Sequence, residues 1–334
     1  MKKVCVLPGD GIGPEVIGCA ERVLREVAGS LELVRGDIGL EAFKRTGSFL
    51  PEDTLDLIRE CDSCLFGAVT SVDSLSYDSP VLRFRKELDL YANVRPVKNL
   101  VTIQGRAPID VVIVRENSEG MYTQDEVFDD AGVITRRRVS RRACERIVEF
   151  AVSYAHAAGR RRITCVHKAN VLKASDGLFL SVFREVLANK GKDIQASDQL
   201  VDSAALRIVT EPSAFDVMVT LNLYGDILSD VAAGVAGGLG FVPSGNIGPR
   251  HSVFEPAHGS APDIAGRGIA NPTAAILAAA MMLSHIGMRE EAVAVKRAVE
   301  AFYSSGHLTV DIGGRHGSKS FTDHVIRNLS GSKP

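Results

Sequence analysis

Apolar and polar positions along the chain fall into two alternating rhythms. Short runs rich in β-branched and apolar residues at 3–7, 31–35, 63–68, 111–115, 162–167 and 215–220 predict strands. Longer stretches with helical spacing at 14–28, 51–59, 141–158, 177–188, 271–286 and 290–303 predict helices. Strand followed by helix, repeated, predicts an α/β fold with a central sheet covered on both faces. Residues 120–139 interrupt the pattern and read as an arm, and the last third of the chain becomes glycine-rich around 234–240. No internal repeat, low-complexity tract or linker is visible, so composition leaves open domains that are discontinuous in sequence.

Composition narrows the setting. At 334 residues, with 45% apolar and 24% charged residues, the chain suits two soluble domains of ordinary size. Lysine and arginine total 39 against 41 acidic residues, so no nucleic-acid or membrane-surface partner is expected. The apolar residues 4–7 break at Pro8 and Gly9, too short for a signal-peptide core, and 274–283 is too short to span a bilayer; a cytoplasmic protein is expected. Six scattered cysteines, of which only Cys61 and Cys64 lie close together, are expected to be buried reduced thiols.

Within the segment 222–230, which reads as helix, Asp226 and Asp230 lie four residues apart and share one face. Two hard oxygen donors among apolar neighbours suit a divalent cation, although a solvated acidic face or a salt-bridged pair would produce the same spacing. Arg95 stands before Pro96, Arg115 ends an apolar strand, and Arg85 lies in a charged helical run that would ordinarily carry surface salt bridges. Three such forks suit a ligand with two or more carboxylates. Lys168 directly follows a strand, where surrounding cations would make it a base; Tyr122 is suited to act as a general acid, and His167 reads as a structural or supporting histidine.

The turn Gly9-Asp-Gly-Ile-Gly13 after the first strand fails the dinucleotide GxGxxG spacing and reads instead as a place where backbone approaches something closely. His258, Gly259 and Ser260 form a turn that suits an adenine and phosphates. Asp263 suits ribose hydroxyls and would repel a 2′-phosphate, favouring NAD over NADP.

Taken in order, the motifs PGDGIGPE, LYANVRP, VIVRENSEGMY, HKANVL, GDILSD, PSGNIG and FEPAHGSAPDIAGRGIANPTAAILAAAMML resemble the β-decarboxylating dehydrogenases that act on isopropylmalate, isocitrate, homoisocitrate and related malates. The resemblance covers essentially the whole chain and sits nearest the archaeal-type isopropylmalate and homoisocitrate enzymes. It implies a two-domain α/β fold that is not Rossmann, with 1–98 plus 241–334 forming the cofactor-side domain and 99–240 the dimerisation and metal-side domain, including the arm at about 120–140. It implies NAD and Mg²⁺ or Mn²⁺ as cofactors and a homodimer with shared active sites, with a tetramer left open. Arg85, Arg95 and Arg115 would hold the substrate carboxylates, and Asp226 and Asp230, with Asp202 as a third aspartate, the metal. Lys168 and Asp202 would act across the dimer, with Asp202 helping Lys168 take the hydroxyl proton and Tyr122 protonating C3. Asn170 and Val171 would touch substrate, and Ile12, His258, Gly259, Ser260, Ala261, Asp263, Ile264 and Asn271 the cofactor.

The C3 substituent would meet the helix preceding Arg85. Val81 and Leu82 offer an apolar wall suited to isopropyl, and Asp78 would repel a third carboxylate; Ser79 stands where isocitrate enzymes use a serine. The reading is therefore 3-isopropylmalate first and homoisocitrate or isocitrate second. A metal-dependent hydrolase using the same aspartates is the alternative of a different class, and it gives no role to the Asp263 loop. The segment 98–108 is shorter than in many relatives, and Ala257 replaces the usual valine.

Overall fold

The computed structural model describes residues 1–72, 77–101 and 107–330. The chain opens with β1 (Lys3–Gly9), α1 (Gly13–Val27), β2 (Glu32–Arg35), α2 (Leu40–Thr46), α3 (Glu52–Glu60), β3 (Ser63–Ala68) and α4 (Pro80–Glu87). The middle contributes β4 (Ala92–Lys98), β5 (Asp110–Glu116), the hairpin β6 (Glu126–Asp129) and β7 (Gly132–Thr135), α5 (Arg141–Ala157), β8 (Arg162–His167), α6 (Ser175–Lys190), β9 (Gln195–Leu200), α7 (Val201–Thr210), β10 (Val217–Thr220) and α8 (Asn222–Ala236). It closes with β11 (Pro243–Ile247), β12 (Ser252–Pro256), α9 (Thr273–His285), α10 (Arg289–Ser304) and α11 (Ser318–Ser330).

Ten strands form one sheet in the order β2-β1-β3-β12-β11-β4-β5-β10-β8-β9. Its two wings are parallel, while the centre, β12-β11-β4-β5, is antiparallel. The α/β expectation is met by a sheet that is mixed and covered on both faces. On one wing, α1, α9, α10 and α11 pack around Ile17, Ile276, Val299 and Phe321, while Leu55, Phe66 and Phe84 fill the opposite face. On the other wing, α5 and α6 cover Ile163 and Val219, and α7 and α8 cover Ile113 and Met218 from behind.

Several elements escape the hydrophobic pattern. β4 carries Asn93, Arg95 and Pro96, β9 is a polar edge strand, and β11 begins Pro-Ser-Gly-Asn, which resembles a turn. The glycine-rich stretch opens as the end of α8, which runs through Gly234 and is capped at Gly237. Of the shortened segment 98–108, residues 102–106 lie outside the described residues. All six cysteines are free and buried.

The Gly9–Gly13 turn makes the expected close approach. Gly9 and Gly11 have φ of +74° and +59°, and a Cβ on either would sit 1.9 Å from the Ala68 carbonyl or 2.0 Å from that of Ser260. The Ile12 amide donates to the Ser260 carbonyl at 2.8 Å, tying the first turn of the chain to the 258–263 loop.

Candidate active site

β5 delivers Arg115 from an apolar strand onto the first turns of α8, and its side chain is 1% exposed. Nε and Nη2 donate to Asn222 Oδ1 at 3.0 and 2.7 Å, and Nη1 donates to the Asp226 carboxylate. Tyr122, on a short 3₁₀ turn, lies 4.6 Å from the Arg115 guanidinium at its ring centroid, and its hydroxyl donates to the other Asp226 oxygen. From the antiparallel strand β4, Arg95 donates to Ser229 Oγ at 2.6 Å and sits 3.3 Å from Asp226 and 3.7 Å from Asp230. Arg85, on α4, is buried too, with Nη2 3.5 Å from Glu255 and Nε buried without a partner. This burial sets aside the surface salt bridging that a charged helical run would ordinarily carry, although Lys86 and Glu87 beside it are exposed.

Behind the arginines lies a polar network inside the sheet. Asn93 accepts from Arg95 Nε at 2.9 Å and donates to Ser244 and Asn246 at 2.8 and 2.9 Å. Asn246 in turn donates to Glu255 at 2.7 Å and accepts from Asn117 at 3.1 Å. Arg85, through Glu255, and Arg95, through Asn93, therefore lean on one amide, that of Asn246.

Charge density shapes the titration of the cluster. Burial lowers Arg115 to about 10, reinforced by Arg85 and Arg95, which still leaves it cationic at neutral pH. Burial pushes Asp226 up, but Arg115, Arg95 and the Tyr122 hydroxyl outweigh it, so the carboxylate is held below its ordinary range. Asp230 is more exposed than Asp226, and its partial burial, less compensated by the arginines, raises it. Tyr122 is raised by burial and by its bond to Asp226, which keeps its proton on oxygen at neutral pH.

A cavity of about 570 Å³ opens beside this cluster, lined by Leu82, Arg85, Asn117, Tyr122 and Asn222, with Asp78, Arg83 and Lys86 on its charged side. Of the expected apolar wall, Leu82 lines the cavity while Val81 packs against the neighbouring core, and the Ser79 hydroxyl caps α4 by accepting the Leu82 amide at 3.5 Å. Arg83 is held away by the Leu50 carbonyl at 2.8 Å and Glu52 at 2.7 Å.

Lys168 and Asp202 form a separate unit. The ammonium lies 2.6 Å from the Asp202 carboxylate rather than beside the arginines, and Asn170 and Val171 on the following turn are exposed. Among the described residues, no three His, Cys, Asp or Glu side chains of one chain converge as a metal cluster. Asp226 and Asp230, which both approach Arg95, are the pair with the hard-donor chemistry a divalent cation needs. His167 is buried and structural: Nδ1 accepts from the Ala169 amide at 3.1 Å, leaving Nε2 to donate to Asp198 at 3.3 Å.

In the 258–263 loop, Ser260 is fixed by Thr70, whose hydroxyl lies 2.8 Å away, and by its carbonyl bond from Ile12. Ala261 takes φ +36°, a strained value for a residue with a Cβ, and Asp263 is exposed. His258 keeps a buried Nε2 without a partner, which fits a ligand group not supplied by the chain. Ile264 packs against the terminal core. Asn271 faces inward, accepting from the Thr273 amide at 3.0 Å and donating to Asp311 at 3.0 Å.

Sequence reasoning missed Asn222, Asn117, Asn246, Ser229 and Glu255. Polar residues at fully buried strand positions, such as Asn93 and Asn246, were the available signal, since a buried amide is retained only where partners await it.

Comparison with known proteins agrees with this geometry. Residues 3–327 match the isocitrate/isopropylmalate dehydrogenase family. The chain is 45% identical to a homoisocitrate dehydrogenase of Methanocaldococcus jannaschii and 44% identical to a 3-isopropylmalate dehydrogenase of Methanothermobacter thermautotrophicus, in each case over 98% of both chains. Among solved structures it resembles an isocitrate dehydrogenase from Methylococcus capsulatus, with a TM-score of 0.95, 40% identity, and coverage of 98% of this chain and 99% of that one. Whole-length sequence and structural similarity, together with arginines, tyrosine and aspartates gathered at one cleft, establish that the chain belongs to the isocitrate/isopropylmalate dehydrogenase family.

Proposed function

We propose that this dehydrogenase catalyses the NAD-dependent oxidative decarboxylation of a 3-substituted malate, with (2R,3S)-3-isopropylmalate as substrate and 2-oxoisocaproate as product. The observation that carries it is the convergence of Arg85, Arg95, Arg115 and Tyr122 beside Asp226, with one buried guanidinium nitrogen still unpartnered. Guanidinium forks at this density clamp a dicarboxylate, exchanging some of their Asp226 contacts for substrate oxygens. Asp226 and Asp230 would then be free to hold Mg²⁺ or Mn²⁺, with Asp202 from a second subunit completing the set. When bound, the cation would acidify the C2 hydroxyl and steady the enolate left by carbon dioxide loss, while nicotinamide would accept the C2 hydride.

Within that frame each side chain has a task. Lys168, oriented by Asp202, takes the C2 hydroxyl proton. Oxidation at C2 gives a β-keto acid, from which carbon dioxide leaves. Tyr122, protonated at neutral pH, delivers its proton to C3. His258, Gly259, Ser260, Ala261, Asp263 and Ile264, with Ile12 beneath them, hold the adenosine end, and the exposed Asp263 carboxylate favours NAD over NADP. Asn271 supports this loop from inside by capping the start of α9.

We infer further that the enzyme is a cytoplasmic homodimer whose terminal segments, 1–98 with 241–334, close on 99–240. Leu206 and Val209 on α7, Ile227 on α8, Val171, and Phe128 on the hairpin are large apolar side chains left more than half exposed, as an interface would require. Asp202, in the first turn of α7, holds Lys168 beside that same helix, and the two would act in the partner's site. No described helix is long and apolar enough to cross a membrane.

Homoisocitrate is the second reading. Lys86 on the cavity's charged side would favour an additional carboxylate, whereas Leu82 and Asp78 favour an isopropyl group. Comparison of kcat/KM for 3-isopropylmalate, homoisocitrate, isocitrate and D-malate at fixed NAD and Mg²⁺ decides. A tenfold preference for either tricarboxylate, about 1.4 kcal/mol, overturns the isopropylmalate assignment. Absence of NADH formation with all four, in the presence of metal, overturns the reaction itself.

A further inference from the structure

A second cavity, of about 320 Å³, lies on the opposite side of the sheet from the arginine cluster. Strand alternation puts it there: Arg95 faces α8, whereas its neighbour Pro96 and then Lys98 face the other way, alongside Val112 of β5. Helix α5 closes one wall with Tyr154, and α9 and α10 close the other with Leu277, Met281 and Lys296. The cavity thus spans helices belonging to different hydrophobic clusters, α5 on the middle wing and α10 on the terminal one.

Its lining carries three cations, Lys98, Arg160 and Lys296, against two acids, Asp110 and Glu300. Lys98 is paired with Glu300 at 3.1 Å, and Arg160 with Asp110 and with Asp216, the latter at 2.9 Å. Lys296 is left, among the described residues, without a hydrogen bond or ion pair, above an apolar floor of Leu277, Met281 and Val112. Its ammonium stands exposed at the rim, where partial burial draws it below the usual lysine range and Glu300 opposes that shift. A volume near the lower end of ligand-site sizes, an apolar floor and one surplus cation together define the occupant.

We propose that this cavity is a second binding site, for a small apolar monocarboxylate whose carboxylate pairs with Lys296 and whose apolar body lies on Leu277 and Met281. The site is separate from the catalytic cleft, and an occupant would bridge the two wings behind Arg95. The assignment does not depend on which malate the enzyme turns over.

The test uses the full-length protein and 4-methylpentanoate as probe, with binding followed by calorimetry and ligand-observed NMR. Saturable binding is expected, undisturbed by saturating D-malate and Mg²⁺, and weakened about tenfold or more in both Lys296→Glu and Leu277→Trp. Lys296→Glu, at the surface, reports on the charge, and Leu277→Trp fills the floor; basal turnover should persist in both. Absence of saturable binding up to about 10 mM, displacement by D-malate, or affinity unchanged in both variants overturns the proposal.

Discussion

Gly225 and Arg115 fit together because one of them has no side chain: a Cβ on Gly225 would lie 2.7 Å from both Cβ and Cγ of Arg115. Helix α8 can therefore carry Asn222 and Asp226 against the guanidinium only while position 225 is glycine. Gly225→Ala is expected to cost about 1–3 kcal/mol of stability through overpacking. Because the displaced group touches substrate in the proposed reaction, KM should rise about tenfold or more, measured by steady-state kinetics beside a denaturant titration.

Asn246 should behave as a keystone without touching substrate. Asn246→Ala removes partners from Asn93, Asn117 and Glu255 at once, all of them buried. The expected loss is about 1–3 kcal/mol for each polar group that water cannot reach, read by denaturation. Substrate affinity should fall as well, since Arg95 and Arg85 lose their footing.

The two aspartates of α8 should respond oppositely to amidation in metal-free protein. Asp226 is held below its ordinary pKa, so its carboxylate stabilises the fold above about pH 4 and that contribution is lost as pH falls through the folded value. Asp226→Asn should therefore destabilise at pH 7, with the gap narrowing in acid. Asp230 is raised by partial burial and by Asp226, so its ionised form is mildly penalised in the folded state at neutral pH, less than for a buried acid because the side chain is more than half exposed. Asp230→Asn should raise stability at pH 7 and lose that advantage below about pH 4, while abolishing metal-dependent turnover. Denaturation midpoints between pH 3 and 7 in a chelator check both signs.

Catalysis across subunits has a direct signature. Chains carrying Tyr122→Phe are mixed with chains carrying Lys168→Ala, each expected to be inactive alone. If Lys168 serves the partner's cleft, every mixed dimer regains one intact site, and random mixing restores about a quarter of wild-type activity. No recovery would place Lys168 in its own subunit's site.

Much of this molecule was readable before folding. The alternation of apolar runs located β1, β3, β5, β8 and β10, and the four-residue spacing of Asp226 and Asp230 placed both acids on α8. What escaped was the polar interior. β4 and β11 hold Asn93, Ser244 and Asn246 fully buried, so a pattern that equates strands with apolar runs passed over the centre of the sheet. For Arg85 the charged run alone suggested a surface position, and only the family resemblance set it with the substrate-binding arginines, because a charged run on a short helix does not reveal which one of its side chains turns inward. The pairing of Lys168 with Asp202 came only from the family resemblance, since nothing in the spacing of two residues thirty-four apart says that they meet.

The sheet also dictates an order of assembly. β3, buried along its whole length, pairs with β1 on one side and on the other with β12, which is synthesised almost two hundred residues later. Until Ser252–Pro256 leaves the ribosome, an apolar strand edge stays open to any passing chain. Such distant closure slows folding and lengthens exposure, so nascent chains of this enzyme should depend on chaperones until their final quarter has emerged.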